Sequence, residues 1–457
     1  MTSHRRRWFV VFSAVAIVLG LAIAFFLPSK PATSESLLLP DGTALRIVDV
    51  TYGTNHLFGT PLGRLVAKLP PRIGRVAKDL LGARVAIQQT YGSATPSLIV
   101  WLERTTNTPT AQILGGYVSA MLADETGFVS GEEVNLWGTG MRIVRLVFPV
   151  VPRRDPNLRV EVTYRGRTGG TDPVGSLSFE NPVYGRYPHW TPETLPATKR
   201  VGELEVTLNK LSAGHGDSTS HRSGPGNTRV IDFGTNSSTS RGRCVCLLSV
   251  RSVSDSNGIW RVASVRVSDA TGNSVKSTSM GWGGDDEPFF TFRPGLWPGE
   301  SAWKLACEIK RSKGHGPAEL ITFRNVPLGQ LGATNRIGWT TNFQGVAITL
   351  DHLVRKPPLT NDSWSSSEIS GVRLTHSTLA TNTHLDFVRL VADTGETVRS
   401  ESSSSSDAER TYSFRELPLE AKTADITFAV HRSHRVEFVV KPEIRTARLE
   451  LPAPRVK

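Results

Sequence analysis

The sequence predicts a mostly β protein: an N-terminal transmembrane helix followed by three tandem antiparallel β-sandwich domains. Three observations carry that prediction. Trp8 to Leu27 is an uncharged apolar run. A turn signature recurs three times, each time followed by an alternating strand. A composition of 41 Gly, 28 Pro and 39% hydrophobic residues suits short strands and polar loops better than helical bundles.

Residues 1–7 form a basic stub in which Arg5, Arg6 and Arg7 immediately precede the apolar run. A helix over Trp8–Leu27 is about 30 Å long, which matches the hydrocarbon core of a bilayer. The positive-inside rule then leaves the N-terminus in the cytoplasm and places everything after Pro28 outside it. The localisation expected is a single-pass signal-anchor in the cell membrane. Cleavage as a signal peptide is the alternative, because Ala22 and Ala24 offer a small-x-small site. Residues 28–37 read as a short polar linker.

The first sandwich domain is expected over 38–182, the second over 201–328 and the third over 341–452. The turns ADETG from Ala123, SDATG from Ser268 and ADTG from Ala392 mark them. From the turn aspartate to the first inward residue of the next strand, Asp124 to Val160 and Asp269 to Leu305 are both 36 residues, and Asp393 to Ile426 is 33. Each unit is expected to end on its own strand: SLSFENP with Phe179, LITFRNVP with Phe323, VEFVVKP with Phe438. Three correspondences in one order indicate an internal triplication. Residues 183–200 form a Pro-rich, semi-rigid link, 329–340 a second linker and 453–457 a tail.

Between the first and second strands of every unit lies an insert of different length and composition, where specificity can be built on a common scaffold. The first insert carries a helix near 62–82. Arg72, Arg75 and Lys78 populate one face and Ile73, Val76 and Leu80 the other. Such a helix either packs its apolar stripe on the sandwich or lies on anionic lipid, and packing is the preferred reading. The run Ser402–Ser406 is expected to be a disordered loop tip.

Cys244 and Cys246 lie in one alternating strand and Cys307 in another, with Trp260 between them. This order resembles that of the immunoglobulin fold, and the resemblance implies immunoglobulin-like sandwiches and a bridge between Cys246 and Cys307. The tyrosine of that fold is replaced by Leu305, and the other two units have no cysteine.

Little points to catalysis. Asp393-Thr394-Gly395 matches an aspartic-protease triplet, but its recurrence as a turn explains it. Asp285, Asp286 and Glu287 fit no calcium loop. No HExxH, phosphate-cradling GxxxxGK or GxSxG motif occurs, so no cofactor, metal or catalytic residue is assigned. The formal charge is +12, but Arg5, Arg6, Arg7 and Lys30 contribute to it before the first domain begins. The remaining mild excess identifies no nucleic-acid partner.

The anchor-and-repeat plan resembles uncharacterised bacterial single-pass membrane-anchored proteins with tandem immunoglobulin-like repeats. The expected function is a non-catalytic extracytoplasmic interaction or scaffold protein that meets an envelope protein or polymer through its loops. The alternative is a carbohydrate-binding module or hydrolase with a site at a domain junction, where Tyr187, His189 and Trp190 are the candidates.

Overall fold

A computed structural model describes residues 36–450 apart from 40–41, 82–86, 107–116, 125–128, 136–141, 166–170, 215–221, 224–228, 232–242, 254–258, 283–287, 358–369, 401, 407, 415–416 and 446–448. The expected transmembrane helix, Arg5 to Arg7 and the acidic turn at 285–287 lie outside the described residues. No described helix is long and apolar enough to cross a membrane.

The described chain is mostly β, in several antiparallel sheets consistent with several sandwich domains. In the first unit β1 (Thr43–Gly59), β2 (Ile87–Thr106) and β5 (Ile143–Phe148) form one sheet, edged by Ser36–Leu38. The second sheet runs β4 (Val129–Asn135), β3 (Tyr117–Ala123), β6 (Asn157–Arg165), β7 (Thr171–Glu180).

The second unit repeats this order. One sheet holds β8 (Leu204–Gly214), β9 (Arg243–Ser252) and β12 (Pro288–Phe292), and the other holds β11 (Ser274–Lys276), β10 (Ile259–Asp269) and β13 (Trp303–Lys313). After β14 (Leu320–Pro327), the third unit has β15 (Val346–Val354), β16 (Ser370–His376) and β19 (Glu409–Phe414) in one sheet. Its other sheet holds β18 (Thr397–Val398), β17 (Thr383–Ala392) and β20 (Thr423–Arg432), and the chain continues into β21 (His434–Val440).

Alternation drives these strands. On β13, Trp303, Leu305, Cys307 and Ile309 are buried and the residues between them are not, so one face supplies core and the other meets solvent or neighbours. The turn aspartates set a common register. Two or three residues before each, Leu122 opposes Val160, Val267 opposes Leu305 and Leu390 opposes Ile426. Asp269 accepts hydrogen bonds from the backbone amides of Thr271 and Asn273 at 2.9 and 3.0 Å, and Gly272 takes φ +95° to close the turn. Asp393 likewise accepts from the amides of Lys422 and Thr423 at 3.1 Å, and Gly395 takes φ +90°.

The final strands do not stay where the sequence order puts them. The strand that follows unit two, β14, pairs with β20 of unit three, and Phe323 opposes Ile426. The strand that follows unit three, β21, returns to unit two and pairs with β13, and Phe438 opposes Leu305. The two are exchanged one for one. Packing agrees with pairing: Val436, Phe438 and Val440 belong to the core cluster shared by units one and two, whereas Phe323, Val326 and Leu328 belong to that of unit three. The chain beyond β21 stays with unit two, as Glu443–Arg445 adds parallel to β8 and Leu449–Glu450 pairs with Arg229–Ile231.

Two further expectations are corrected. The serine run is not a loop tip: Ser402–Ser405 forms an edge strand on β19, whose free backbone groups supply the partners its side chains lack. Cys246 and Cys307 are free thiols, as is Cys244, and all are fully buried, so the bridge implied by the immunoglobulin resemblance is not formed. Burial pushes the Cys307 thiol up to about 12 and, together with the neighbouring Cys307, pushes that of Cys246 well above its ordinary value. The thiolate that would react is thereby suppressed, and the cysteines act as small core residues. Trp260 is half-buried beneath Arg311, and the tryptophan that fills the core beside Cys307 is Trp303.

Candidate functional site

Where β13 hands over to β14 and β20 to β21, two chain passages cross from one unit to the other. Strand geometry gathers the polar residues of three strands there, because residues two apart share a face. Glu308 and Lys310 come from β13, His384 and Asp386 from β17, and His431 from β20, with Ser433 at the crossing itself.

Lys310 Nζ donates to both oxygens of Asp386 at 2.8 Å, and His431 Nε2 lies 2.9 Å from Asp386 Oδ2. His384 Nε2 lies 2.8 Å from Glu308 Oε1, which also accepts from Ser433 Oγ at 2.8 Å. Ser264 Oγ donates to the other Glu308 oxygen at 3.1 Å. His315, in the connection after β13, lies against His431 with ring centroids 4.8 Å apart and the planes tilted by 49°.

The electrostatics follow from burial and pairing. Burial raises the Asp386 carboxyl, but His431 and Lys310 outweigh it and hold Asp386 well below the usual carboxylate range. Glu308 is also held low, because Ser433, His384 and Ser264 overcome its burial. Burial lowers His384 despite Glu308, and burial with the nearby His431 lowers His315. The sign is the same throughout. A histidine lowered in the fold binds more protons when unfolded, and so does a carboxylate held low. Stability is therefore expected to be full above about pH 6.5, the ordinary histidine value, and to fall as pH drops below it. A second loss is expected below about 4.5, where Glu308 and then Asp386 protonate on unfolding. Urea midpoints measured across pH 4 to 8 check this, and the expected low-pH loss shrinks in a His315→Gln/His384→Gln variant.

Most polar atoms of the cluster are paired with one another, while Nδ1 of His315 and Nδ1 of His431 are buried without a hydrogen-bond partner among the described residues. Ser433 donates to Glu308, whose carboxyl is held low and is therefore a weak base for that hydroxyl. Among the described residues no group of histidine, cysteine and carboxylate side chains could hold a metal ion.

The junction of units one and two is also a clasp. Asn273, beyond the second turn, exchanges hydrogen bonds with the backbone of Val151 at 2.8 and 3.0 Å, and Arg153 reaches the Thr271 carbonyl at 2.7 Å. Arg154 pairs with the buried Glu300 at 2.9 Å and donates to the carbonyls of Tyr187 and Pro188. The sequence-predicted aromatics sit here. Arg154 lies over the Tyr187 ring at 5.9 Å, and the Tyr187 hydroxyl donates to Val183 O. Lys304 lies over the half-buried Trp190 ring at 5.1 Å, while His189 is exposed. A cation thus already covers a face of each ring that a sugar would stack on.

The first insert forms two helices, α1 (Pro61–Ala67) and α2 (Pro71–Leu81). Thr60 caps α1 by accepting from the Gly63 amide at 3.0 Å, and Pro71 opens α2 at its first position. Of the expected apolar face, the described residues Ile73 and Val76 are exposed. Ala77 packs on Leu62 and Val66, and a side chain at Gly74 would come within 3.2 Å of the Val66 carbonyl. The small residues let the helices approach, so Ile73 and Val76 stay 40% and 58% exposed beside exposed Arg72 and Arg75. The side chains of Lys78 and Leu80 lie outside the described residues.

Sequence reasoning missed the crossing cluster. Its signal was polar residues two apart on three strands: Glu308 with Lys310, His384 with Asp386, His431 with Ser433.

No family model matches the chain, and no curated protein matches it. Among solved structures, it is weakly similar to a cycloalternan-forming enzyme from Listeria monocytogenes in complex with a pentasaccharide substrate, at 8% identity and TM-score 0.13. An uncharacterised protein from the same organism gives the same identity and score. Each comparison covers 73% of this chain and 29% of the other. Similarity at that level carries no argument about activity.

Proposed function

We propose that the chain is a membrane-tethered, non-catalytic interaction or scaffold protein whose domains lie outside the cytoplasmic membrane. In this reading its body is three immunoglobulin-like sandwiches held as a semi-rigid rod. The observation that supports it most is how the junctions are used. Crossed strands and an ionic cluster with paired carboxylates join units two and three, and an arginine clasp joins units one and two. Clefts suited to catalysis leave charged groups aimed at a substrate, whereas the carboxylates and the lysine here are spent on their neighbours. Recognition in this reading uses the loops of the sandwiches, chiefly the inserts between the first and second strands of each unit.

The test has two arms. Protease added outside the cytoplasmic membrane of intact cells is expected to digest the chain beyond Lys30, and full protection would reverse the topology. Affinity capture from solubilised membranes is expected to recover a reproducible envelope partner. Recovery of nothing above a control carrying residues 1–30 alone would defeat the scaffold reading.

A further inference from the structure

We infer that the outward face of α2 is a docking surface for anionic phospholipid, so that unit one lies against the membrane rather than standing off it. The inference deepens the tethered reading of the previous section and rests on it.

Three observations point to lipid. First, α2 spends its small residues, Gly74 and Ala77, on α1 and turns Ile73 and Val76 outward. An exposed apolar pair on a helix that already has its intramolecular partner has no role in that packing. Second, the apolar pair is bordered by the exposed cations Lys68, Arg72 and Arg75, the complement of an anionic headgroup layer. Arg64 is not part of this border, because it is paired with Asp49 at 2.5 Å.

Third, Ser36–Leu38 lies on the sheet that leads into the helices, beside the first part of β1. Ser36 opposes Arg46 and Leu38 opposes Ala44, so the strand Ser36–Leu38 runs antiparallel to β1. Followed towards its N-terminus, it points along β1 towards Gly59, after which α1 and α2 begin. Residues 28–35 can span no more than about 28 Å. A membrane segment ending at Leu27 therefore keeps unit one near the bilayer surface.

Shallow insertion of two apolar side chains gives weak binding alone, and each arginine near an anionic surface adds about fivefold. Docking is thus expected to need both parts.

The test uses the full chain carrying Val76→Cys labelled with an environment-sensitive fluorophore, since Cys244, Cys246 and Cys307 are buried from the reagent. Reconstituted into vesicles of phosphatidylcholine with phosphatidylglycerol, the label is expected to brighten and shift to the blue relative to phosphatidylcholine alone. Arg72→Gln/Arg75→Gln is expected to lower the ratio of docked to undocked chain about 30-fold, and Arg72→Lys/Arg75→Lys to retain most of it. Identical spectra in the two vesicle types would overturn the inference. So would a blue shift that grows with protein concentration in detergent alone, which would assign the face to a second copy of the chain. Release of the chain by an alkaline wash would defeat the tether. The same labelled chain added to preformed anionic vesicles still decides the docking.

Discussion

Phe438→Ala is expected to destabilise unit two by about 3 to 5 kcal/mol, although the residue lies beyond the last strand of unit three in the sequence. Phe438 is fully buried, opposes Leu305 on β13 and belongs to the core cluster that includes Leu305, Cys307 and Ile309. Removing the ring forfeits its transfer from water and leaves a cavity between two sheets that are held at fixed spacing by their other side chains. Val439, one residue on, faces the other way and is only half-buried, so Val439→Ala is expected to cost about 1 kcal/mol or less. Urea unfolding of the two variants measures the contrast. Because the passage from β20 to β21 holds a single residue, Ser433, loosening β21 also loosens the crossing.

Asp386→Ala is expected to cost about 3 kcal/mol, the second large effect. The substitution leaves the ammonium of Lys310 without its bidentate partner, at only 12% exposure, and strips fully buried His431 of its carboxylate. The loss comes from stranding a charge rather than from the pair's own net attraction. A paired replacement, Lys310→Met/Asp386→Leu, is therefore expected to recover much of the stability. Comparing the two single variants with the double in a mutant cycle separates these contributions. The acid-induced loss of stability is expected to flatten in the double variant, since one of its carboxylates is gone.

Much of the fold was legible because it is written in local periodicity. The strands alternate as their burial does, as on β13 and β16, where every second residue is buried. The turn chemistry of Asp269 was legible, since it accepts from amides of its own turn, whereas Asp393 accepts from the amides of Lys422 and Thr423 at the start of β20. The strand exchange was not legible. Phe323 and Phe438 sit in strands of the same pattern, and alternation fixes which face a strand buries without naming the sheet that receives it.

The orientation of α2 was hidden for a different reason. Amphipathic patterning weights large apolar residues such as Ile73 and Val76, whereas close helix approach selects small ones, here Gly74 and Ala77. The cysteines were placed inward correctly by their alternation, but inward placement fits a thiol as well as a bridge. The ionic cluster was least legible, because its members come from segments 45 to 125 residues apart and from two different units. Glu308 and Ser433 are one such pair.

The central claim is that units two and three have traded their final strands and form one interlocked body. Amide hydrogen exchange on Phe438→Ala, read segment by segment against the unaltered chain, tests it most directly. The exchange predicts that protection falls in Trp303–Lys313 and in its partner His434–Val440, while Leu320–Pro327 and the part of β20 it pairs with remain protected. Loss of protection in Thr423–Arg432 with Trp303–Lys313 unchanged would mean that each unit keeps its own final strand, and would contradict the claim.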